Sequence, residues 1–221
     1  MKKSIFYVLC IVIYSAIITG CASPVASVFN PIKNIDYEAQ KKHVVFLKYI
    51  RVGDGKKIMQ IGTGFCISKT KILTNKHVVG NITKLQIHFR SGAYLQGHVI
   101  ATSKNADLAI IEIIGGCMPI TINQRPVMVG EKVHMIAHPL QFFPWTTHFG
   151  YVSSTKRIIS FDEQAEFNSL QGYEEFFQFN MTTALGTSGG PIFRGNKVVG
   201  IASMLIGGEG IKMSSMGFAI P

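Results

Sequence analysis

Three short stretches of this 221-residue chain hold residue types that can break an acyl bond together. The first is Ile72-Leu73-Thr74-Asn75-Lys76-His77-Val78-Val79. The second is Asn105-Ala106-Asp107-Leu108-Ala109-Ile110. The third is Ala184-Leu185-Gly186-Thr187-Ser188-Gly189-Gly190-Pro191-Ile192-Phe193. Singly, each has a bland reading: a structural histidine at a strand end, an aspartate capping a turn, a hairpin. Together they supply a base, an orienting acid and a nucleophile in the order His77, Asp107, Ser188. A serine hydroxyl is a poor nucleophile until a base takes its proton. Imidazole is neutral near pH 7 and can take that proton and return it. A carboxylate on the far ring nitrogen fixes the tautomer and stabilises the imidazolium. The glycines let the amides of Gly186 and Ser188 converge on a developing oxyanion, a kind of donor whose loss costs about 10²–10³ in rate.

Other chemistries find less support. His134 and His138 are four residues apart, but Met135-Ile136-Ala137 between them reads as strand. Four strand residues span roughly 13 Å, too far for two ligands on one metal. The chain has no HExxH, P-loop or GxGxxG pattern, so neither a metal nor a cofactor is expected. Net charge is +10, yet no Lys/Arg run interleaves with aromatics and no nucleic-acid motif is present. The excess reads as a basic surface, with attraction to anionic lipid or polymer as the sharper alternative.

The elements that must hold these residues are strands. From His43 onward, short runs rich in Val, Ile, Phe and Tyr alternate with Gly, Asn and Ser. No helical period competes with them. That is the pattern of an all-β sandwich or barrel. Most of residues 159–177, with Asp162, Glu163, Glu166, Glu174 and Glu175, reads as a surface loop. At 47% hydrophobic and 15% charged, the chain suits one globular domain. Cys66 and Cys117 sit in apolar, strand-like settings. They read as two small buried hydrophobes. An exported chain could oxidise them if they met, and the sequence does not say whether they meet.

The N-terminus reads as an export signal. Lys2 and Lys3 precede an apolar run of 16 residues, Ser4 to Thr19. That is short for a membrane span, which needs about 20, and fits a secretory signal. Ile18-Thr19-Gly20-Cys21 resembles a bacterial lipobox, in which the cysteine is acylated after cleavage just before it. Residues 1–20 are then a lipoprotein signal peptide. Residues 21–42 are a lipidated N-terminus and tether, and 43–221 the folded domain. Cleavage removes two positive charges from +10 and leaves +8. Two or more acyl chains on Cys21 would hold the protein stably on a membrane. Ala22, rather than Asp, favours the outer membrane facing the periplasm in a Gram-negative cell.

In its motifs the chain resembles a trypsin-like (chymotrypsin-fold) serine protease, and within that group the protease domain of HtrA/Deg-type envelope proteases. The matching pieces, in family order, are Gly62-Thr63-Gly64-Phe65, Thr74 to Val79, Ala106-Asp107-Leu108-Ala109, Val129-Gly130-Glu131, His138-Pro139, Phe149 to Ser154, Gly186 to Pro191, Val199-Gly200-Ile201 and Gly217 to Pro221. The resemblance implies two six-stranded antiparallel β-barrels with the active site in the cleft between them. The gap of 30 residues from His77 to Asp107 is short, as in HtrA-type domains.

The chain departs from that pattern in places. Thr187 stands where Asn is commoner. Leu140-Gln141-Phe142-Phe143-Pro144-Trp145 is bulky where the family is Gly-rich, and reads as packing, with a lid or partner surface as the alternative. The sequence stops at Pro221, where the family goes on into peptide-binding domains. By the resemblance, Thr182, Thr183, Ser203, Met204 and Leu205 line the pocket for the substrate residue before the cut. Thr182 carries no charge and Leu205 should make the pocket shallow, so a small or medium aliphatic residue is expected there. Thr183 also matches the pocket threonine of glutamyl endopeptidases, but Gly200-Ile201-Ala202-Ser203-Met204-Leu205 lacks their pocket histidine.

The function expected is therefore a lipid-anchored serine endopeptidase acting on protein or peptide substrates of the envelope. The alternative is an inactive or latent protease-fold lipoprotein that binds unfolded chains or a partner. Oligomeric state is not legible.

Overall fold

The computed structural model describes residues 35–53, 56–161, 172–205 and 213–221. The expected signal peptide and Cys21 lie outside the described residues. Chain order begins with a short helix α1 (Tyr37–Lys41) and strands β1 (Val44–Gly53), β2 (Lys56–Cys66) and β3 (Lys71–Thr74). A one-turn helix α2 (Lys76–Val79) follows, then β4 (Lys84–His88), β5 (Tyr94–Thr102) and β6 (Ala109–Glu112). These six strands close into a barrel in the order β1-β2-β3-β6-β5-β4. The second half supplies β7 (Lys132–Ala137), β8 (Thr146–Phe161), β9 (Gly172–Phe179), β10 (Thr183–Ala184), β11 (Pro191–Arg194), β12 (Lys197–Leu205), β13 (Met213–Ser214) and β14 (Gly217–Ile220). A second closed barrel runs β11-β12-β14-β9-β8-β7, with β10 and β13 paired beside it. The all-β, two-barrel expectation holds.

Period-two patterning builds the barrels. In β4, Leu85 and Ile87 are buried and Lys84 and Gln86 exposed. The first barrel closes on Val45, Leu47, Ile72, Ile87 and Ile111. The second closes on Val133, Met135, Phe177, Phe179 and Ile192. A third cluster joins them, with Val44 and Phe65 from the first barrel against Ile136, Phe176, Phe193 and Ile201 from the second. Closure matters to the site because it leaves no free sheet edge and fixes where each strand ends.

Three expectations change. Cys66 and Cys117 do meet: they form a disulfide with Cα atoms 5.5 Å apart. Cys66 lies opposite Ile72 on β3, and Ile72 lies opposite Ile111 on β6. Past β6 the chain returns alongside β2, with Cys117 N donating to Lys69 O and Ile120 N to Cys66 O. The acidic stretch at 159–177 is not all loop. β8 runs on to Phe161 and β9 begins at Gly172, with Ile158 opposite Glu175; residues 162–171 lie outside the described set. Glu175 is exposed on β9 and pairs with Lys156, so its polarity masked the strand. The tether does not reach residue 42. Asp36 caps α1 by accepting from Ala39 N at 2.9 Å. Buried Gln40 donates to Gly195 O and Asn196 Oδ1 and accepts from His134 Nε2. Residues 36–42 are thus part of the fold.

Candidate active site

The first barrel supplies the acid and the base. Asn75 occupies the N-cap of α2, which puts His77 in its only turn. Asp107 sits just before β6 and is fully buried. Its Oδ1 accepts the His77 backbone N–H at 2.9 Å, and its Oδ2 lies 2.6 Å from His77 Nδ1. Two contacts to one residue lock the ring to the carboxylate. Nδ1 thus faces the acid, and Nε2 is the ring nitrogen on the opposite side. The buried Asn75 amide donates to the Asp107 carbonyl at 2.9 Å and holds the acid from behind.

The second barrel supplies the nucleophile. Ser188 lies in the turn between β10 and β11, half-buried, and its Oγ donates to the Ser203 carbonyl at 3.3 Å. Around it, hydrogen bonds alternate along the backbone. The carbonyls of Leu185 and Thr187 accept from Leu140 N (2.7 Å) and Gly190 N (3.0 Å). The carbonyls of Gly186 and Ser188 accept from Thr63 Oγ1 (2.7 Å) and Thr63 N (2.9 Å). The amides of Thr187 and Gly189 donate to Ala184 O (3.0 Å) and Ala202 O (2.8 Å). Among the described residues, the amides of Gly186 and Ser188 donate to no protein group. In a trans peptide the N–H points opposite the C=O, so both amides face away from their anchored carbonyls. Buried amides are rarely left orphaned. A pair of them beside a serine is a ready site for an oxygen bearing negative charge.

Two glycines are needed here for geometry. Gly186 has φ +94°, and a Cβ on it would stand 2.4 Å from His138 O. Gly189 has φ +83°, and a Cβ would stand 1.9 Å from Thr63 O. No L side chain fits either place. Thr187, the departure beside them, is buried, and its hydroxyl donates to Ala184 O at 2.7 Å. It closes the turn from within, and every backbone amide of the turn stays in place.

The pocket expectations fare unevenly. Ser203, on β12, turns its side chain to the acid. Its hydroxyl donates to Asp107 Oδ2 at 2.6 Å, because β12 crosses behind the acid. Thr183 is buried, and its hydroxyl lies 3.3 Å from Ser214 O and 3.2 Å from Met216 O. Thr182 is exposed. The side chains of Met204 and Leu205 lie outside the described residues. Thr63, Asn75 and the acid-binding role of Ser203 were missed. No local pattern marks them, since each acts on a residue distant in sequence.

The bulky segment after Pro139 splits. Trp145 packs: its indole N–H donates to Val44 O at 3.0 Å, and its backbone N–H donates to His138 Nδ1 at 3.0 Å. Phe142 and Phe143 do not pack, being 73% and 60% exposed. Leu140, Gln141 and Trp145 all have positive φ. His138 is stacked on Phe46, and burial holds its imidazole far below the ordinary range, at about 3. Burial likewise lowers His134 to about 4.

Comparison with known proteins identifies the family. Residues 62–201 match the model of the trypsin-like peptidase domain. A Pseudomonas putida protein named "Probable periplasmic serine endoprotease DegP-like" is 32% identical over 174 residues, covering 76% of this chain and 34% of its own. The "Serine protease Do-like HtrB" of Bacillus subtilis is 32% identical over 160 residues, covering 69% and 33%. The chain thus spans about a third of the length of these curated relatives. Among solved structures, the active form of the Rv3671c protease of M. tuberculosis superposes with a TM-score of 0.70 at 19% identity, over 86% of this chain and 79% of the other. An HtrA-type protease with a bound tripeptide superposes with a TM-score of 0.68 at 20% identity, over 85% and 60%.

Proposed function

This chain belongs to the trypsin-like peptidase family, and from that premise we propose that it is a serine endopeptidase acting through His77, Asp107 and Ser188. The observation that carries the reading is the double contact of His77 with buried Asp107, which turns Nδ1 to the acid and makes Nε2 the nitrogen that would take the Ser188 proton. Ser188 Oγ attacks the peptide carbonyl as His77 Nε2 takes its proton. The carbonyl oxygen becomes an oxyanion that accepts from the amides of Gly186 and Ser188. Collapse breaks the C–N bond, and His77 returns the proton to the leaving amine. Water then repeats the sequence on the acyl-enzyme and frees Ser188.

The substrates are proteins or peptides, in keeping with the names of the relatives. Their periplasmic designation supports an envelope location, and the lipobox-like Cys21 supports membrane anchoring. At the cleavage site a small or medium aliphatic residue is preferred. With the Thr183 hydroxyl engaged by backbone carbonyls, an acidic residue finds no donor there.

A fluorophosphonate probe applied to the mature chain, beside Ser188→Ala, tests the reading. Labelling of the wild type alone supports it, and absence of labelling in both folded proteins overturns it. A second reading, a latent or inactive protease-fold lipoprotein that binds unfolded chains or a partner, is favoured by exposed Phe142 and Phe143. It predicts no labelling until a partner is added.

A further inference from the structure

We infer that Thr63 is a positioning residue for the oxyanion-binding amides, a role that rests on the serine-peptidase reading above. Thr63 lies on β2 in the first barrel and is fully buried. Its hydroxyl donates to Gly186 O at 2.7 Å and accepts from His138 N at 3.2 Å. Its backbone N–H donates to Ser188 O at 2.9 Å. Its carbonyl accepts from Thr74 Oγ1 at 2.7 Å. One residue of the first barrel therefore grips both carbonyls that flank the Thr187–Ser188 peptide unit in the second.

That grip orients the two units that alternate with those carrying the Gly186 and Ser188 amides, whose own carbonyls are held by Leu140 N and Gly190 N. Peptide units along the turn alternate between two orientations. The units whose carbonyls Thr63 holds send their N–H groups, those of Thr187 and Gly189, onto Ala184 O and Ala202 O. The intervening units carry the N–H groups of Gly186 and Ser188, which among the described residues donate to no protein group. Gly186 has no side chain to resist rotation, and at φ +94° it is the weak point of the run. Without the Thr63 hydroxyl, Gly186 O loses its donor and the unit can turn. The same residue also connects to the acid. Thr74, which holds the Thr63 carbonyl, is followed by Asn75, whose amide holds Asp107. Thr63 thus links the oxyanion side of the site to the acid–base side across the two barrels.

A valine at this position keeps the shape and removes the hydroxyl, whereas a serine keeps the hydroxyl and removes a methyl. Thr63→Val should lower the fluorophosphonate labelling rate and kcat by about tenfold to a hundredfold, with KM changed less than about threefold, measured well below the melting temperature. Thr63→Ser should recover to within about threefold of wild type. Amide hydrogen exchange supplies a readout independent of activity. In Thr63→Val, exchange at Thr187 should accelerate at least about tenfold, because its bond to Ala184 O depends on the held orientation, and Thr63→Ser should not accelerate it. Wild-type labelling in Thr63→Val overturns the inference. Unchanged exchange at Thr187 overturns it as well. So does parallel loss in both variants that tracks thermal stability, the mark of a packing role. If the wild type itself is inert to the probe, the peptidase reading fails, and accelerated exchange in the valine variant would still assign Thr63 to holding the turn.

Discussion

The Ser203 hydroxyl donates to Asp107 Oδ2 at 2.6 Å, on the same oxygen that lies 2.6 Å from His77 Nδ1. The carbonyl of Ser203 in turn accepts from Ser188 Oγ. One residue of β12 thus touches both the acid and the nucleophile. Removing its hydroxyl leaves a buried carboxylate one donor short, and a hydrogen bond to a charged group contributes about 1.5–3 kcal/mol. Ser203→Ala should therefore cut kcat/KM by about tenfold or more. Asp107→Asn, which favours the wrong imidazole tautomer, should cut kcat by about 10⁴. Steady-state kinetics on one peptide checks both, and a Ser203→Ala enzyme as fast as wild type would remove Ser203 from the site.

His134 and His138 make stability depend on pH. Burial lowers them to about 4 and about 3, against 6.5 when unfolded. The folded state holds both rings neutral, while the unfolded chain binds protons below pH 6.5. Stability is therefore full above that pH and falls as pH drops toward 4 and then 3. Each ring contributes up to about 1.4 kcal/mol per pH unit in that window. Urea melts of Ser188→Ala, which cannot digest itself, should show the loss between pH 6.5 and 4. A His138→Gln background should flatten the slope.

The Cys66–Cys117 bond closes a loop that contains both His77 and Asp107. With a sequence separation of 51 residues, the chain-entropy model gives about 4 kcal/mol. Reduction, or Cys66→Ala with Cys117→Ala, should lower the melting temperature on the order of 10 °C. Scanning calorimetry with and without reductant measures it.

Gly189 leaves no room for a side chain, since a Cβ would stand 1.9 Å from Thr63 O at φ +83°. Gly189→Ala should abolish probe labelling and destabilise by on the order of 3 kcal/mol. By contrast, Gly195→Ala, where a Cβ meets nothing within 4 Å, should leave labelling intact despite a strained φ of +60°.

Thr183 offers no spare proton to an acidic side chain, because both acceptors near its hydroxyl are backbone carbonyls of Ser214 and Met216. Peptides with Val or Ala before the cut should be cleaved at least about tenfold faster than the same peptide with Glu, a difference of about 1.4 kcal/mol. Competition assays read the ratio directly.

The sequence by itself determined the kind of fold and pointed to the three residues proposed to react. Alternation such as Lys84-Leu85-Gln86-Ile87 is a local property, so the strands were legible. The reactive stretches are local too: Ser188 needs Gly186 and Gly189 within three residues, and those glycines stand out in any strand-rich chain. What holds the stretches together was not legible. Cys66 meets Cys117 because the chain past β6 returns alongside β2. Ser203 serves Asp107, 96 residues away, only because β12 passes behind the acid. Thr63 reaches Gly186 across 123 residues, from one barrel to the other. Such contacts depend on strand order and barrel closure, which no periodicity encodes. The tertiary structure decided them because a hydrogen bond is set by position in space, and the chain's order along the sequence leaves that open.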